Sequence, residues 1–244
     1  MNRQFLIFIF VIYSMFLVYF LMLLNETLMN IIYRKEKFQD DTYVDEPTYN
    51  VTEIPNFLTD EECDKIIELA KDNLFDSKIY SSEDDVVNTD SRISKQAWLY
   101  DNDPFIKSIS DKVKDLTRTH DKYHEELQVV RYEKGGFFKP HYDACDGSKD
   151  FCTRMDGDKG PRYLTVLFYL NDVPQGGETV FPYINKSVKP EKRKAVIFQN
   201  VNDDGIIIKQ AFHGGEPVKE GEKWIANKWI RITPTEKKNE TKLI

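Results

Sequence analysis

Residues 127–143 read LQVVRYEKGGFFKPHYD, and this stretch decides the fold class. Two β-type runs are separated by Gly135-Gly136, a break that is typical of neighbouring strands. Helical patterns lie before this stretch, and further short β-type runs follow it. Those runs are RYLTVLFYL, KAVIF, GIIIKQAF and KWIANKWIRI. Helices followed by many short strands predict an α+β protein whose helices pack on an antiparallel sandwich or barrel.

Two helices are predicted upstream. Thr59 and Glu62 have the spacing of a capping box, and Asp103-Pro104 places proline at the first helical position. The polar stretch 76–92 between them has the composition of a mobile loop. The apolar positions at helical spacing are Cys63, Ile66, Ile67, Ala70 and Leu74 in the first helix, and Phe105, Ile106, Ile109, Val113 and Leu116 in the second.

The composition is that of one globular domain with an additional N-terminal segment. Of 244 residues, 41% are hydrophobic and 31% are charged, which is ordinary for a folded protein. The net charge is −7, and acidic and basic residues are interspersed. Because no basic stripe is present, nucleic acid is not expected as a partner.

The segment 5–24 reads FLIFIFVIYSMFLVYFLMLL and carries no charge. Its length fits a helix that crosses a bilayer, and a retained anchor is favoured over a cleaved signal peptide because no small-x-small cleavage site follows. We therefore expect a membrane anchor at 1–24, a stalk at 25–48, a folded domain at 49–234 and a flexible tail at 235–244.

The side of the membrane is not decided by the sequence. Basic residues after the anchor favour a cytoplasmic domain, but long domains translocate largely regardless of charge. Four Asn-x-Ser/Thr sequons favour a glycosylated, lumenal domain, so a single-pass protein of the endoplasmic reticulum with a lumenal domain is the expectation. The sequons begin at Asn25, Asn50, Asn185 and Asn239.

The three cysteines do not form a disulfide scaffold. Cys63 lies in the first helical pattern, where a buried structural thiol is expected. Cys145 and Cys152 flank a short polar insertion, and they could close a small loop if the compartment is oxidising. The sequence leaves this pairing open.

The strongest chemical signal is His141-Tyr142-Asp143. In extended backbone, residues two apart leave the same face, so His141 and Asp143 point to one locus. His213 follows a strand-like run and precedes Gly214-Gly215, which allow close approach. Two histidines and one carboxylate on one face of an iron ion leave positions open for oxygen and a cosubstrate.

Taken alone, this pattern has other interpretations. His-x-Asp also occurs on ordinary surface strands, and His120 and His124 are expected to be solvated rather than to bind metal. A zinc hydrolase would accept the same ligands if a carboxylate served as general base. The available glutamates are Glu178, Glu216, Glu220 and Glu222.

The wider context resembles the catalytic domain of prolyl 4-hydroxylases, over about residues 51–234. Five segments occur in the family's order and roughly at its spacing. They are IPNFLTDEECDKIIELAK (54–71), AWLYDNDPFI (97–106), ELQVVRYEKGGFFKPHYD (126–143), RYLTVLFYLNDVPQGGETVFP (162–182) and FHGGEPVKEGEKWIANKW (212–229). The resemblance implies a double-stranded β-helix of the jelly-roll or cupin type, with supporting N-terminal helices.

The resemblance also implies roles for individual residues. His141, Asp143 and His213 correspond to the iron ligands, and Lys223 corresponds to the basic residue that binds the distal carboxylate of 2-oxoglutarate. Further matches concern the cosubstrate and the peptide groove. Tyr132 and Thr179 match hydroxyls that help to hold 2-oxoglutarate, and Trp229, on the inward face of the Lys223 strand, is expected to bind the cosubstrate with them. Arg162 and Trp98 match positions near the peptide substrate.

The implied activity is that of an iron(II)- and 2-oxoglutarate-dependent dioxygenase that hydroxylates peptidyl proline, of the procollagen type, with O2 as cosubstrate and L-ascorbate as reductant. One departure is the long, charged connection DGSKDFCTRMDGDKG at 146–160, which borders the expected entrance. It keeps two alternatives open: the same chemistry on another protein side chain or small molecule, and a non-catalytic membrane-anchored partner subunit.

Overall fold

The computed structural model describes residues 43–79, 90–147 and 149–231. The predicted anchor, most of the predicted stalk and the predicted tail lie outside these residues. Within them, no helix combines the length and apolar character needed to cross a membrane.

Three α-helices and sixteen strands occur in the described part of the chain. The helices are α1 (Asp60–Lys71), α2 (Pro104–Thr117) and α3 (Lys149–Asp156). The first eight strands are β1 (Tyr43–Val44), β2 (Thr52–Ile54), β3 (Phe75–Asp76), β4 (Arg92–Ile93), β5 (Lys95–Leu99), β6 (Leu127–Tyr132), β7 (Phe137–His141) and β8 (Arg162–Tyr169). The other eight are β9 (Gln175–Gly176), β10 (Thr179–Phe181), β11 (Lys186–Val188), β12 (Ala195–Gln199), β13 (Ile207–Ile208), β14 (His213–Gly215), β15 (Val218–Glu220) and β16 (Lys223–Arg231).

Two sheets form a jelly-roll-like sandwich, as the resemblance implies. The larger has the order β2-β12-β8-β16-β6-β5-β3, and the smaller has the order β11-β10-β14-β7-β4. Two-stranded pairs, β1-β13 and β15-β9, complete the described strands. Because β1 pairs with β13, the folded part already includes residues 43–44, within the predicted stalk.

The larger sheet separates two hydrophobic cores. Val130 and Ile225 pack toward the smaller sheet, with Phe181 of β10. Their neighbours Val129 and Ala226 pack on the other face, against the helices. Successive side chains of a strand point to opposite faces, so β6 and β16 contribute to both cores and their sequences read as almost continuous apolar runs.

Both predicted helix starts are confirmed. The Thr59 side chain accepts a hydrogen bond from the Glu62 amide at 3.2 Å, and Glu62 accepts one from the Thr59 amide at 2.8 Å. Asp103 caps α2 by accepting from the Phe105 amide at 2.8 Å, directly before Pro104. These caps fix where each helix begins on the outer face of the larger sheet.

The charged connection after Asp143 contains helix α3, which the sequence did not predict. A disulfide joins Cys145 and Cys152, so the pairing that the sequence left open is present in this structure. Asp156, at the end of α3, accepts a hydrogen bond from Arg231 of β16 at 3.0 Å. The connection is therefore attached to the sandwich at both ends.

Strand β16 carries two buried lysines on opposite faces. Lys223 lies on the face toward the smaller sheet, with Ile225 and Trp229. Lys228 lies on the helix side, where its ammonium is 3.3 Å from the Asp101 carboxylate. The two lysines therefore differ in their surroundings: Lys228 is paired with Asp101, whereas Lys223 lies between the two sheets.

Candidate metal centre

Strand pairing brings the three predicted ligands together. β7 and β14 are antiparallel neighbours, and His141 is directly opposite His213 in their register. Directly opposite residues project to the same side of a sheet, so the two imidazoles lie side by side with ring centroids 4.6 Å apart. Asp143 follows β7 by two positions and returns to the same face.

The donor atoms of these three residues converge. The Nε2 atoms of His141 and His213 lie 3.7 and 3.8 Å from the carboxylate oxygens of Asp143. One donor atom from each residue lies within 4.8 Å of the others, close enough for a single ion to be held by all three. His213 and the Asp143 side chain are only 6% and 7% exposed.

The hydrogen bonds of the two histidines determine which nitrogen faces the centre. Nδ1 of His141 is 2.8 Å from the Lys139 carbonyl, and Nδ1 of His213 is 2.9 Å from the Ala211 carbonyl. A carbonyl can only accept, so each Nδ1 carries the proton and each Nε2 presents a lone pair. This fixed orientation is typical of metal-binding histidines.

The charge states at the centre suit a cation. Burial lowers the pKa of His213 to about 4, so its imidazole is neutral near pH 7. Burial alone would raise the pKa of Asp143, but His213, His141 and Arg162 together hold it well below its usual range. The Nε2 atoms of His141 and His213 and the Asp143 carboxylate thus converge on one point, an arrangement that a bound cation stabilises. This donor set fits non-haem iron(II).

Thr165 on β8 supports Asp143, and the sequence analysis missed it. Its hydroxyl donates to the Asp143 carboxylate at 2.6 Å and accepts from the Asn200 side-chain amide at 2.8 Å. The available signal was a threonine on the inward face of an otherwise apolar strand, where a buried hydroxyl needs partners.

Replacing Thr165 by valine is expected to weaken iron(II) binding by about 10- to 100-fold, because groups that orient a metal ligand typically have effects of this size. Anaerobic titration of the metal-free protein with iron(II) would measure the change. Thr165→Ser keeps the hydroxyl and is the matched control. Equal affinity in the valine variant and the wild type would show that Thr165 does not orient Asp143.

Lys223 lies deeper in the sandwich. It is 2% exposed, and among the described residues the only carboxylate that acts on its ammonium is the distant Glu178. The rings of Tyr132 and Tyr169 lie 5.3 and 5.6 Å away. Burial lowers the pKa of Lys223 to about 7, opposed only by the more distant Glu178. A buried ammonium without an ionic partner is a binding site for an anion.

Gly215 lies beside Lys223. A Cβ atom added at Gly215 would be in ordinary contact with the Lys223 Nζ, at 3.6 Å. The hydroxyl of Thr179, directly opposite Gly215 in the β10–β14 pair, accepts from the Tyr169 hydroxyl at 2.7 Å. Tyr132 is hydrogen-bonded to Arg92, a pocket residue that the sequence analysis did not identify.

The metal centre and Lys223 open into one cavity of about 700 Å³, within the size range of small-molecule sites. Every predicted site residue lines it, including Tyr132, Thr179, Trp229, Arg162 and Trp98. Among the described residues, none of the four glutamates considered as a zinc-hydrolase base lines this cavity. Three other carboxylates, Glu125, Asp146 and Asp156, do line it, and Glu125 and Asp156 are bonded to Arg162 and Arg231.

Arg162 belongs to a charged network at the cavity wall. Its guanidinium lies 3.5 Å from the centre of the Trp229 ring and donates two hydrogen bonds to Glu125, at 2.8 and 2.9 Å. Arg231 joins Glu125 to Asp156 of α3. Burial raises the pKa of Glu125, but the two guanidinium groups outweigh this and lower it overall. The network holds the Arg162 guanidinium over the Trp229 ring.

One prediction about histidines is wrong. His124, expected to be solvated, is half-buried, and its Nε2 is 2.7 Å from the Thr119 hydroxyl. Burial, and then the nearby Lys228, lower its pKa to about 4. His120 is exposed, as predicted, and its side chain accepts from the Lys122 amide at the start of a 3-10 turn. Neither belongs to the metal centre.

Fold and donor set together define an iron(II)- and 2-oxoglutarate-dependent oxygenase. Residues 127–231 match the family model described as the 2OG-Fe(II) oxygenase superfamily. The chain is 34% identical over 189 residues to a protein of Acanthamoeba polyphaga mimivirus that is provisionally named a prolyl 4-hydroxylase, with 77% of this chain and 76% of the relative covered. It is 35% identical over 204 residues to prolyl 4-hydroxylase 2 of Arabidopsis thaliana, with 74% and 67% covered.

A solved structure gives the same result. The collagen prolyl hydroxylase of Paramecium bursaria Chlorella virus-1, in complex with 2-oxoglutarate, superposes with a TM-score of 0.61 at 30% identity, covering 77% of this chain and 98% of that one. The chain belongs to the prolyl 4-hydroxylase family, as the five sequence segments predicted. Membership implies iron(II) as the metal, with 2-oxoglutarate and O2 as cosubstrates.

Proposed function

We propose that this protein hydroxylates C4 of proline residues within proline-rich or collagen-like peptides. One observation carries the proposal: the same cavity contains the converging side chains of His141, Asp143 and His213 and the buried ammonium of Lys223, which can bind an anion. In the balanced reaction, 2-oxoglutarate, O2 and a peptide C–H bond give succinate, CO2 and a C–OH group. Iron(II), when bound, supplies the activation of O2 for this oxidation.

The side chains of the protein supply binding and orientation. His141, Asp143 and His213 would hold the metal by one face and leave the other face open. Lys223 would bind the distal carboxylate of 2-oxoglutarate, and Tyr132 and Thr179, which line the same cavity, would help to hold it. These contacts orient the keto-acid end toward the metal and exclude water from the inner cavity.

Trp98 and Arg162 are the proposed contacts for the peptide, and Trp229, proposed with the cosubstrate residues, lies next to both. The ring centroids of Trp229 and Trp98 are 6.1 Å apart, and Arg162 covers Trp229. An aromatic wall of this kind suits the apolar pyrrolidine ring of proline, and polyproline-type chains are recognised on such surfaces. L-Ascorbate is proposed as the reductant, as the family resemblance implies.

We also propose that the protein is attached to the membrane of the endoplasmic reticulum by its N-terminal segment, with the domain on the lumenal side. The uncharged stretch 5–24 supports an anchor. The Cys145–Cys152 disulfide supports an oxidising compartment, and the sequon residues Asn50 and Asn185 are exposed. The lumenal location is tested by treating the full chain with a glycosidase, which should increase its electrophoretic mobility. A chain that carries no glycans, and whose cysteines all react with a thiol reagent applied from the cytosolic side, would exclude it.

The function is tested by incubating the full chain with iron(II), 2-oxoglutarate, ascorbate and paired peptides that contain proline or alanine at the same position. We expect succinate release that depends on the proline peptide, with one oxygen added to proline in the mass spectrum. If no peptide stimulates succinate release, none of the peptides tested is a substrate, and the proposed function is contradicted. Oxygen on another side chain would establish the alternative, which is motivated by the unusual α3 connection along the cavity.

A further inference from the structure

A buried glutamine lies shortly before the third metal ligand, His213. Gln210 is 9% exposed and belongs to the 3-10 turn Lys209–Ala211. Its side-chain amide donates to the Asp45 carboxylate and, at 3.2 Å, to the Glu46 carbonyl, and its oxygen accepts from the Glu46 amide at 3.1 Å. Because these bonds all go to two adjacent residues, Gln210 ties one short segment of chain to the turn.

That segment also pairs with the strand before the turn. We call residues 43–46 the strap. Tyr43 and Val44 form β1, which runs parallel to β13 and pairs with Ile207 and Ile208. Both isoleucines are buried, at 5% and 2% exposure. The strap therefore lies along residues 207–210, the stretch of chain that leads into His213.

The turn that the strap holds sets the orientation of His213. Nδ1 of His213 donates to the Ala211 carbonyl at 2.9 Å, and Ala211 directly follows Gln210. Since the partner of Nδ1 fixes the plane of the ring, the position of this carbonyl determines where Nε2 points. A displaced turn would move the carbonyl, and with it the nitrogen that faces the metal.

The strap reaches the other two ligands through Tyr142, which lies between them in sequence. The rings of Tyr43 and Tyr142 have centroids 5.1 Å apart, and both pack against the larger hydrophobic core. The Tyr142 hydroxyl donates to the Lys209 carbonyl at 3.3 Å. Tyr142 thus connects the chain between His141 and Asp143 to the same turn that carries Gln210.

Strand β13 provides a further connection to Asp143. The Ile208 amide donates to the Asn200 carbonyl at 2.9 Å. The Asn200 side chain donates to Thr165, whose hydroxyl donates to Asp143. The strand that pairs with the strap is therefore hydrogen-bonded to the residue that supports the carboxylate ligand.

We propose that the strap positions the metal ligands, with Gln210 as the positioning residue through which it acts on His213. Iron(II) affinity then depends on residues 43–46, which the sequence analysis assigned to the stalk. The inference concerns the metal centre alone, and it is independent of which substrate the protein hydroxylates.

Gln210→Met in the full chain tests the proposal, because methionine has a similar length and removes all the hydrogen bonds to the strap. Anaerobic titration of the metal-free protein should show iron(II) binding weakened by about 10- to 100-fold, as is typical for residues that orient a ligand. Cobalt(II) bound at saturation should show shifted absorption bands, because these bands report the arrangement of ligands around the ion. A loss of stability alone would not shift them.

Asp45→Ala is the second variant. Asp45 is exposed, so its truncation leaves the packing of the core unchanged and the protein folded. It should weaken iron(II) binding in the same direction but by a smaller factor, since Gln210 keeps both hydrogen bonds to Glu46. Asp45→Ala decides the question if Gln210→Met does not fold.

Lys194→Met is the matched control. Lys194 is 7% exposed, is not among the residues that line the active-site cavity, and pairs at 3.1 Å with Glu53 of β2, another early part of the described chain. This variant should lower the melting temperature and keep the iron(II) affinity and cobalt(II) spectrum of the wild type.

Two results would overturn the proposal. If the folded strap variants kept the iron(II) affinity and cobalt(II) spectrum of the wild type, the strap would only stabilise the fold. An equal loss of iron(II) affinity in Lys194→Met would attribute the effect to stability in general. These measurements contain neither peptide nor 2-oxoglutarate, so a failure of the proline peptides would leave their result intact, and a failure of the strap would leave the proposed function standing.

Discussion

His213→Ala is expected to remove iron(II) binding and peptide-dependent succinate release together. The substitution deletes one of three donors, and it leaves His141 and Asp143 as an incomplete set at the end of β7. The loss should exceed the roughly 100-fold effect that is typical of residues that only orient a ligand. Iron content after anaerobic reconstitution and the rate of succinate release measure the two consequences on the same sample.

His120→Ala provides the matched control, because His120 is exposed and distant from the cavity lining. It should retain both iron and activity. Thermal unfolding of His213→Ala should show that the fold persists, since the jelly-roll core is built from apolar residues of β6, β8, β12 and β16. A folded His213→Ala protein that still binds iron and turns over would contradict the assignment of the metal centre.

Local rules predicted the local parts of this structure. The capping residues Thr59 and Asp103 mark the starts of α1 and α2 because a helix N-terminus needs acceptors for its free amides. The two-residue spacing of His141 and Asp143 predicted a shared face because side chains alternate along extended backbone. Such features depend only on neighbours in sequence.

The third metal ligand and the residue that supports Asp143 are placed by strand pairing, which the spacing of residues in the sequence does not define. His213 meets His141 only because β14 lies beside β7, and this neighbour was expected from family resemblance rather than from the residues themselves. Thr165 reaches Asp143 from β8 of the other sheet, so its role required the sandwich geometry. Contacts between sheets are the part of the site that the sequence analysis missed.

Helix α3 shows a second reason for incomplete prediction. The segment 146–160 is charged and rich in glycine and aspartate, which is typical of a loop. In the structure, the Cys145–Cys152 disulfide and the Arg231–Asp156 ion pair hold it at both ends. These tertiary constraints outweigh the weak local preference, and they place an ordered wall along the cavity.

Lys223→Met is expected to raise the KM for 2-oxoglutarate strongly while leaving the fold intact. Removing one partner of a buried ion pair costs about 2–5 kcal/mol, which corresponds to a roughly 30- to 4,000-fold weaker affinity. Methionine keeps an unbranched chain of similar length, so the packing against Tyr132 and Tyr169 is retained. Titration of 2-oxoglutarate at saturating peptide gives the KM.

Lys228→Met is the matched control, because Lys228 is an equally buried lysine on the opposite face of the same strand. It leaves Asp101 without its ionic partner and is expected to change the unfolding temperature without changing the KM for 2-oxoglutarate. If both variants raised this KM to the same extent, the effect would come from β16 as a whole. Lys223 would then have no specific role in binding the cosubstrate.

The pH dependence of cosubstrate binding follows from the same buried amine. Burial places the pKa of Lys223 at about 7, below its usual 10.5, so the free protein carries the ammonium below pH 7 and progressively loses it above. Binding a carboxylate requires the ammonium, so the KM for 2-oxoglutarate should rise about tenfold per pH unit above 7 until the pKa of the bound state is reached.

In the unfolded chain the lysine stays protonated up to about pH 10.5, so between pH 7 and 10.5 the unfolded state binds more protons. This group therefore makes the cosubstrate-free protein more stable as pH rises through that window. Lys223→Met should remove both dependences, and a KM in the wild type that stays constant from pH 7 to 9 would show that the buried amine is not the anchor for the distal carboxylate.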